Sequence, residues 1–453
     1  MPGPDAREKL MRVMKGALLI LVVALSADVS SREPLPNRSK DQTVGTVNCA
    51  SSTCHGSIPP LDGSNVLQNE YTTWLRMDAH TQAYAVLLNQ KSRSIARKLG
   101  LAEGAHRAPL CLDCHSHKPL GPVGPRHVPT EGIGCEGCHG PAGRWVASHT
   151  VDGVTHTENV KKGLYPSDRP EAQARLCLSC HFGDETRFVS HRLMGAGHPR
   201  LSFEMKTFSV LEPAHFRVDE DYRDRKGDYD SVRIWAVGQA IAARHQLDTL
   251  TDPKRGRQGP FPELVLFDCH ACHHPMSDQR WTPHYGLAPG LIRLNDGNLL
   301  MLRALTRGIL PERSVNFDAE VMALHRAVSA GEAPAGKDYL VLARELSAHI
   351  QSLVPALERA TYDATAQRRI LIALIDEAGS SSFSDYAAAE QACMAITNLV
   401  NDLIHTGVLR LTTGLKDRIE GLLDALQDDE RYNPEFFRSQ LAALKREAVG
   451  MTP

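Results

Sequence analysis

The sequence predicts a mainly α-helical chain in two parts. The front part is read as short helices and long loops wrapped around bulky covalent groups, and the rear part as a helical bundle. Three observations carry that prediction. Cys-x-x-Cys-His occurs four times, with a fifth, wider copy, all before residue 274. Gly and Pro crowd the spacer Pro119–Gly134, as loops require. From about Asn298 the motifs stop, and apolar residues recur at intervals of three and four.

The motifs fix the chemistry of the front part. Four are regular: Cys111-Leu-Asp-Cys114-His115, Cys135-Glu-Gly-Cys138-His139, Cys177-Leu-Ser-Cys180-His181 and Cys269-His-Ala-Cys272-His273. The first in chain order, Cys49-Ala-Ser-Ser-Thr-Cys54-His55, has two extra residues between its cysteines. Two thiols on one turn add to the two vinyl groups of a porphyrin, and the next histidine lies under the iron as axial ligand. At the chain's content of 11 Cys and 21 His in 453 residues, chance would supply such a motif about 0.01 times. Zinc sites and redox disulfides also use Cys-x-x-Cys pairs, but neither needs a histidine directly after each second cysteine. The reading is therefore five covalently attached c-type haems (iron), held by ten cysteines, with proximal ligands His55, His115, His139, His181 and His273. Cys393 is left over on an apolar helical stripe and reads as a buried core thiol.

Composition and the N-terminus bound where this works. Lys and Arg total 51 against 53 Asp and Glu, a net charge of -2. That leaves no electrostatic footprint for nucleic acid. Arg7, Lys9, Arg12 and Lys15 precede the apolar run Ala17–Leu25, followed by Ser26 and Ala27. This reads as a signal peptide over residues 1–27 and a periplasmic protein, since the run is shorter than the roughly 20 residues of a membrane span. An uncleaved anchor is the alternative.

Along the chain, residues 28–48 read as a polar N-terminal arm and residues 49–297 as a pentahaem cytochrome c domain. Within the latter, longer helices are expected from about Glu70 to Lys98 and from about Ser231 to Gln246. Residues 298–453 read as a C-terminal helical domain of five or six helices. Its stripes are Leu342, Leu346, Ile350, Leu353; Cys393, Ile396, Val400, Leu403; and Leu415, Ile419, Leu422, Leu426. Asn433-Pro434 opens the last helix as cap and first-turn proline.

Sixteen histidines remain for the far faces of five irons. His80 is expected on a helix soon after the first motif, and His149 after turn residues that bring the chain back. His191 and His198 stand seven apart with glycines between them. His215 follows as a fifth candidate, with His127 and His245 behind it and Met194 or Met205 as minority options. His117, His270 and His274 lie too close to a motif to reach across their own haem.

With these residues in place, the chain resembles the cytochrome c-554 family of periplasmic multihaem cytochromes. The resemblance covers roughly residues 45–290. It rests on Trp74…His80-Thr-Gln-Ala, Gly134-Cys-Glu-Gly-Cys-His-Gly-Pro-Ala142…His149, Gly195-Ala-Gly-His198-Pro and Cys272-His273-His274-Pro. It implies closely stacked haems, mostly with two histidine ligands, passing electrons between redox protein partners, a donor and an acceptor. Two departures stand out. The best-described member holds four haems, whereas this chain has five motifs and a helical tail. Count and tail resemble the pentahaem nitrite reductases, but those use Lys in place of one motif His, and all five motifs here end in His.

Electron carriage is the function this predicts. The alternative is an oxidoreductase acting on a small nitrogen or sulfur compound at one five-coordinate haem. Its expected place is the haem on His115, where His117 and the following Gly/Pro loop offer no evident distal ligand and Arg107, Arg126 or His127 could supply a cation or proton near the iron.

Overall fold

The computed structural model describes residues 33–63, 66–259, 261–273, 293–330, 338–379, 383 and 385–450. The described residues from Pro36 onward belong to one compact unit. The expected signal segment 1–27 and His274 lie outside the described residues.

The front region is built of short pieces. Its helices are α1 (Glu70–Met77), α2 (Gln90–Leu99), α3 (Pro109–His115), α4 (Cys135–His139), α5 (His156–Lys161), α6 (Pro170–His181), α7 (His191–Gly195), α8 (Met205–Leu211) and α9 (Glu220–Lys226). The single helix expected over 70–98 is in fact broken. Asp78 and Asn89 both leave the helical region, with ψ 125° and 171°, and their side chains cap new turns by accepting from His80 N and Ser92 N. Short polar side chains that bond nearby amides outcompete helix continuation. Between the two caps run the 3-10 turns Ala79–Gln82 and Ala85–Leu88.

The N-terminal arm is fastened to the third motif by one carboxylate. Glu136, only 3% exposed, accepts from Val44 N (2.9 Å), Gly45 N (2.7 Å) and Ala142 N (2.7 Å). Three amide donors satisfy a buried charge that would otherwise be costly.

Helix α10 (Ser231–Thr251) is the pivot of the molecule. Asp230 caps it by accepting from Val232 N and Arg233 N, and it runs a turn beyond the expected Gln246. It is buried on nearly all faces, packing on α6 and α8 of the haem-motif region and on the rear helices. A two-stranded ribbon, β1 (Arg257–Gln258) with β2 (Phe261–Pro262), follows it.

The rear region contains α11 (Gly297–Ile309), α12 (Pro311–Ala330), α13 (Tyr339–Arg359), α14 (Ala364–Gly379), α15 (Tyr386–His405), α16 (Thr413–Asp424) and α17 (Pro434–Gly450). That is seven helices among the described residues, against five or six expected. Pro311 supplies one extra break, because it cannot continue the helix before it but suits the first turn of the next. One apolar core runs from Ala174 and Leu178 through α10 to Leu444, and it takes in Cys393, which is 2% exposed. Across it, Arg303 bonds Asp318 (2.9 Å) and Glu377 (2.7 Å), tying α11 to α12 and α14.

Candidate metal centres

Each motif presents its two thiols and its histidine on one side of a short turn. In α3, α4 and α6 the spacing i, i+3, i+4 does this by helix geometry. Proline opens α3 and α6, where its missing N–H costs nothing. The fifth motif forms the 3-10 turn Cys269–Ala271. The widened first motif folds as a compact loop: Cys54 N donates to Ser51 O (2.8 Å) and His55 N to Cys49 O (3.2 Å). Its two extra residues are absorbed without carrying His55 away. None of the ten motif cysteines is paired in a disulfide.

The histidines then fall into five pairs. Ring centroids lie 6.3 Å apart for His55/His149, 6.4 Å for His115/His198 and 6.3 Å for His139/His215. They lie 6.1 Å apart for His181/His80 and 6.2 Å for His273/His191. We number these sites 1, 2, 3, 4 and 5 by the order of their motifs. Every pair joins one motif histidine to one histidine from elsewhere in the chain. The spacing has a physical meaning. A metal–imidazole bond is about 2.0–2.1 Å and the ring centre lies about 1.1 Å further, so imidazoles on opposite sides of one metal have centroids about 6.3 Å apart. All five pairs lie within about 0.2 Å of that value.

The other ring nitrogen tells the same story. Nδ1 faces Glu70 Oε2 in His55 (2.9 Å) and Asp78 Oδ1 in His80 (2.8 Å). It donates to main-chain carbonyls in His115 (Ala83 O, 2.7 Å), His149 (Val146 O, 2.5 Å), His198 (Pro199 O, 2.8 Å) and His215 (Pro213 O, 3.3 Å). An acceptor on Nδ1 fixes the tautomer that leaves Nε2 bare for a metal. Burial, with the His215 charge second, lowers His139 to about 3, and burial likewise lowers His181 to about 4. Both are thus neutral at neutral pH, as a metal ligand must be.

Local architecture delivers the distal members. His80 sits on its 3-10 turn because Asp78 caps it, and the turn is held by Ile133 N donating to His80 O (3.0 Å). Gly132 makes that approach possible. It has φ +81°, and a Cβ there would lie 2.3 Å from His80 O. His149 ends a run of turns in which its own N–H bonds Trp145 O (3.0 Å). His191 opens α7 and His198 follows it, with Gly197 at φ +116° between them.

The sites adjoin one another in a definite order. Cys49 of site 1 lies beside Cys135 of site 3, and Cys114 of site 2 lies beside Cys180 of site 4. Cys138 of site 3 lies near Cys177 and Cys180 of site 4. Burial pushes the Cys177 thiol up to about 12. Helix α7 carries one histidine of site 5 and leads into one of site 2.

The remaining predicted residues fall elsewhere. The far side of His115, expected to be open, faces His198; what sequence spacing hid is that α2 and α7 pack together through Ile95, Leu193 and Ala196. Arg107 and Arg126 are exposed, and Arg126 bonds Asn48 Oδ1 (3.1 Å). His117 is buried with its ring 5.8 Å from that of His127, and its pKa falls to about 4, chiefly through burial. His245 is half-buried beside Phe182, and His270 packs on Tyr386. Met205 is a core residue against Gly238, and Met194 lines the cavity beside Cys269. Sequence reasoning missed Glu70, Asp78 and Glu136. Only Glu136 carried a signal, as the residue inside the most specific motif.

Residues 48–140 match the family described as cytochrome c554 and c-prime. Comparison with curated proteins and with solved structures found no match. The matched segment holds the first three motifs and His80, and is narrower than the stretch over which the resemblance was read. It supports the cytochrome c-554 family: a c-type cytochrome with covalently bound haem iron, taking part in electron transfer.

Proposed function

We propose that the chain is a pentahaem electron carrier in which every iron has two histidine ligands and no vacancy for substrate. The ligand pairs are those of sites 1 to 5. The single observation that carries this reading is the common 6.1–6.4 Å spacing of five histidine pairs, each containing one motif histidine. Haem supplies a one-electron iron couple whose potential the axial ligands and their surroundings set. The chain's part is to hold ten imidazoles and ten thiols in place and to fill both axial positions.

The contacts between motifs support a path in the order 1, 3, 4, 2, 5. Sites 1 and 5 are then the terminal stations, where a donor and an acceptor protein would dock. Residues 49–297 form the carrier in this reading, and residues 298–453 close over site 5. Attachment of c-type haem, together with the basic and apolar N-terminal segment, favours a periplasmic location. Among the described residues no helix is long and apolar enough to cross a membrane.

Intact mass and low-temperature electron paramagnetic resonance (EPR) of the oxidised holoprotein test the reading. Five attached haems, all low-spin and unchanged by nitrite or hydroxylamine, are expected. His198→Ala should convert one haem to high spin and leave four low-spin. A native high-spin signal that responds to those ligands would overturn the carrier reading in favour of an enzyme. An unchanged His198→Ala spectrum would overturn the pairing.

A further inference from the structure

The five sites are alike in their imidazole pairs but differ in what stands behind the rings. At site 2 both Nδ1 atoms donate to neutral main-chain carbonyls, Ala83 O and Pro199 O. At site 1 one ring meets a carbonyl and the other the carboxylate of Glu70. At site 4 His80 meets the carboxylate of Asp78, and Glu212 is gathered into the same cluster, with one atom of each residue within 4.8 Å of the others.

The two bonded carboxylates are held in position. The other oxygen of Glu70 accepts from Gln68 N (3.2 Å). Gln68 has φ +58°, the single non-glycine residue with positive φ among those described. A strained backbone beside a ligand's partner marks a position the surroundings insist on. Tyr71 N also donates to His55 O (2.9 Å), tying α1 to the first motif. Asp78 Oδ1 accepts from both His80 N (2.9 Å) and His80 Nδ1. The Glu70 and Asp78 side chains are 18% and 13% exposed, so water screens them only partly.

An N–H bonded to a carboxylate leaves its imidazole richer in electrons, and a more basic axial ligand favours ferric over ferrous iron. Resting on the ligand pairs proposed above, we propose that Glu70 and Asp78 are positioning residues that tune their own irons, making sites 1 and 4 harder to reduce than site 2. Site 4, with Glu212 close by, is the lower of the two. Site 2, with neutral acceptors on both rings, lies above them. Along the order 1, 3, 4, 2, 5, the two carboxylate-backed sites are separated by site 3, so a carrier built this way passes electrons over alternating steps.

The test is a spectroelectrochemical and EPR-monitored redox titration of full-length holoprotein carrying Glu70→Gln, Asp78→Asn or Glu212→Gln. The site 1 and site 4 signals are identified by their loss in His149→Ala and His80→Ala. Each of the first two variants should raise the potential of its own haem alone, with the low-spin EPR signal of that haem shifting. The expected size is roughly tenfold in the ferric/ferrous ratio, about 59 mV for one electron. Glu212→Gln should raise site 4 by less, and it keeps the proposal testable if Asp78→Asn accumulates poorly. Potentials that stay put while all haems remain attached and low-spin would overturn the tuning proposal and leave the ligand pairs standing. A variant that turns its haem high-spin would instead overturn the acceptor's role as a tuner, showing that it holds the ligand in place. Loss of assignable low-spin signals in the histidine variants is the distinct failure of the ligand reading itself.

Discussion

In the rear region Phe317, Phe383 and Phe437 have no exposed surface, and neither do Leu299, Leu300, Met301 and Leu302. In the motif-bearing region Leu120, Val128, Val210 and Leu211 stand 45–71% exposed, and two of its apolar clusters have only three buried residues each. The difference teaches what each region lacks. The rear contains enough apolar side chain to close its own core. The front has short helices, many turns and a scatter of uncovered aliphatic groups. In the proposed reading, the flat macrocycles its cysteines would attach complete the apolar packing of this region.

Removing a haem from the front should therefore do far more damage than removing a side chain from the rear. Cys135→Ser with Cys138→Ser deletes the attachment at site 3, which adjoins sites 1 and 4. We expect loss of more than one haem, with rapid limited proteolysis between residues 49 and 230 while fragments covering 297–450 persist. Uniform digestion of both regions would show that the comparison is wrong and that the chain is a single cooperative structure. Loss of just one haem with no new cleavage would show that the front has a sufficient core of its own.

The next effect in size belongs to the rear. Leu305 is fully buried in the core that joins α11 to its neighbours. Leu305→Ala should cost about 2–5 kcal/mol, the usual loss for a large-to-small core change. The comparison sharpens if calorimetry or chemical denaturation shows that loss while haem content and the Soret spectrum stay native. If the haem spectrum shifts as well, the core shared through α10 transmits strain to the sites.

Most of this division was legible in the sequence. Motif spacing marked the five histidines proposed as proximal ligands, since a pattern of five residues, or seven at the first motif, needs only one local turn. Periodicity marked the rear helices, because their apolar stripes repeat over several turns. The break at Asp78 was hidden, for an Asx cap differs from a mid-helix aspartate only in backbone conformation. The partner of His115 was hidden for a stronger reason. His198 reaches it through the packing of Ile95 on Leu193 and Ala196, a contact between segments about a hundred residues apart. No local pattern encodes that. Glu70 and Asp78 escaped similarly: a carboxylate on a short helix is ordinarily a solvated one, and only the fold turns these two toward imidazoles.

The smallest expected effect lies where the two regions meet. Asp385 caps α15 by accepting from Ala388 N (2.8 Å), and it is buried beside Asp268, Asp296 and Arg293 near the fifth motif. Burial, then the charges of Asp296 and Asp268, raise its pKa from 3.8 to about 7, with Arg293 opposing. Unfolded, the same group ionises near the ordinary value, about 3.9. Between those two values the folded chain holds a proton that the unfolded chain has released. Stability from this group is thus complete below about pH 4 and is lost as pH rises toward 7. Asp385→Asn keeps the cap, because the amide oxygen can still accept from Ala388 N, but it carries no titrating proton. Its stability relative to the native chain should be near parity at pH 4 and should improve toward pH 7. Parallel profiles for the two proteins across that range would mean that Asp385 stays ionised and that Arg293 outweighs its burial.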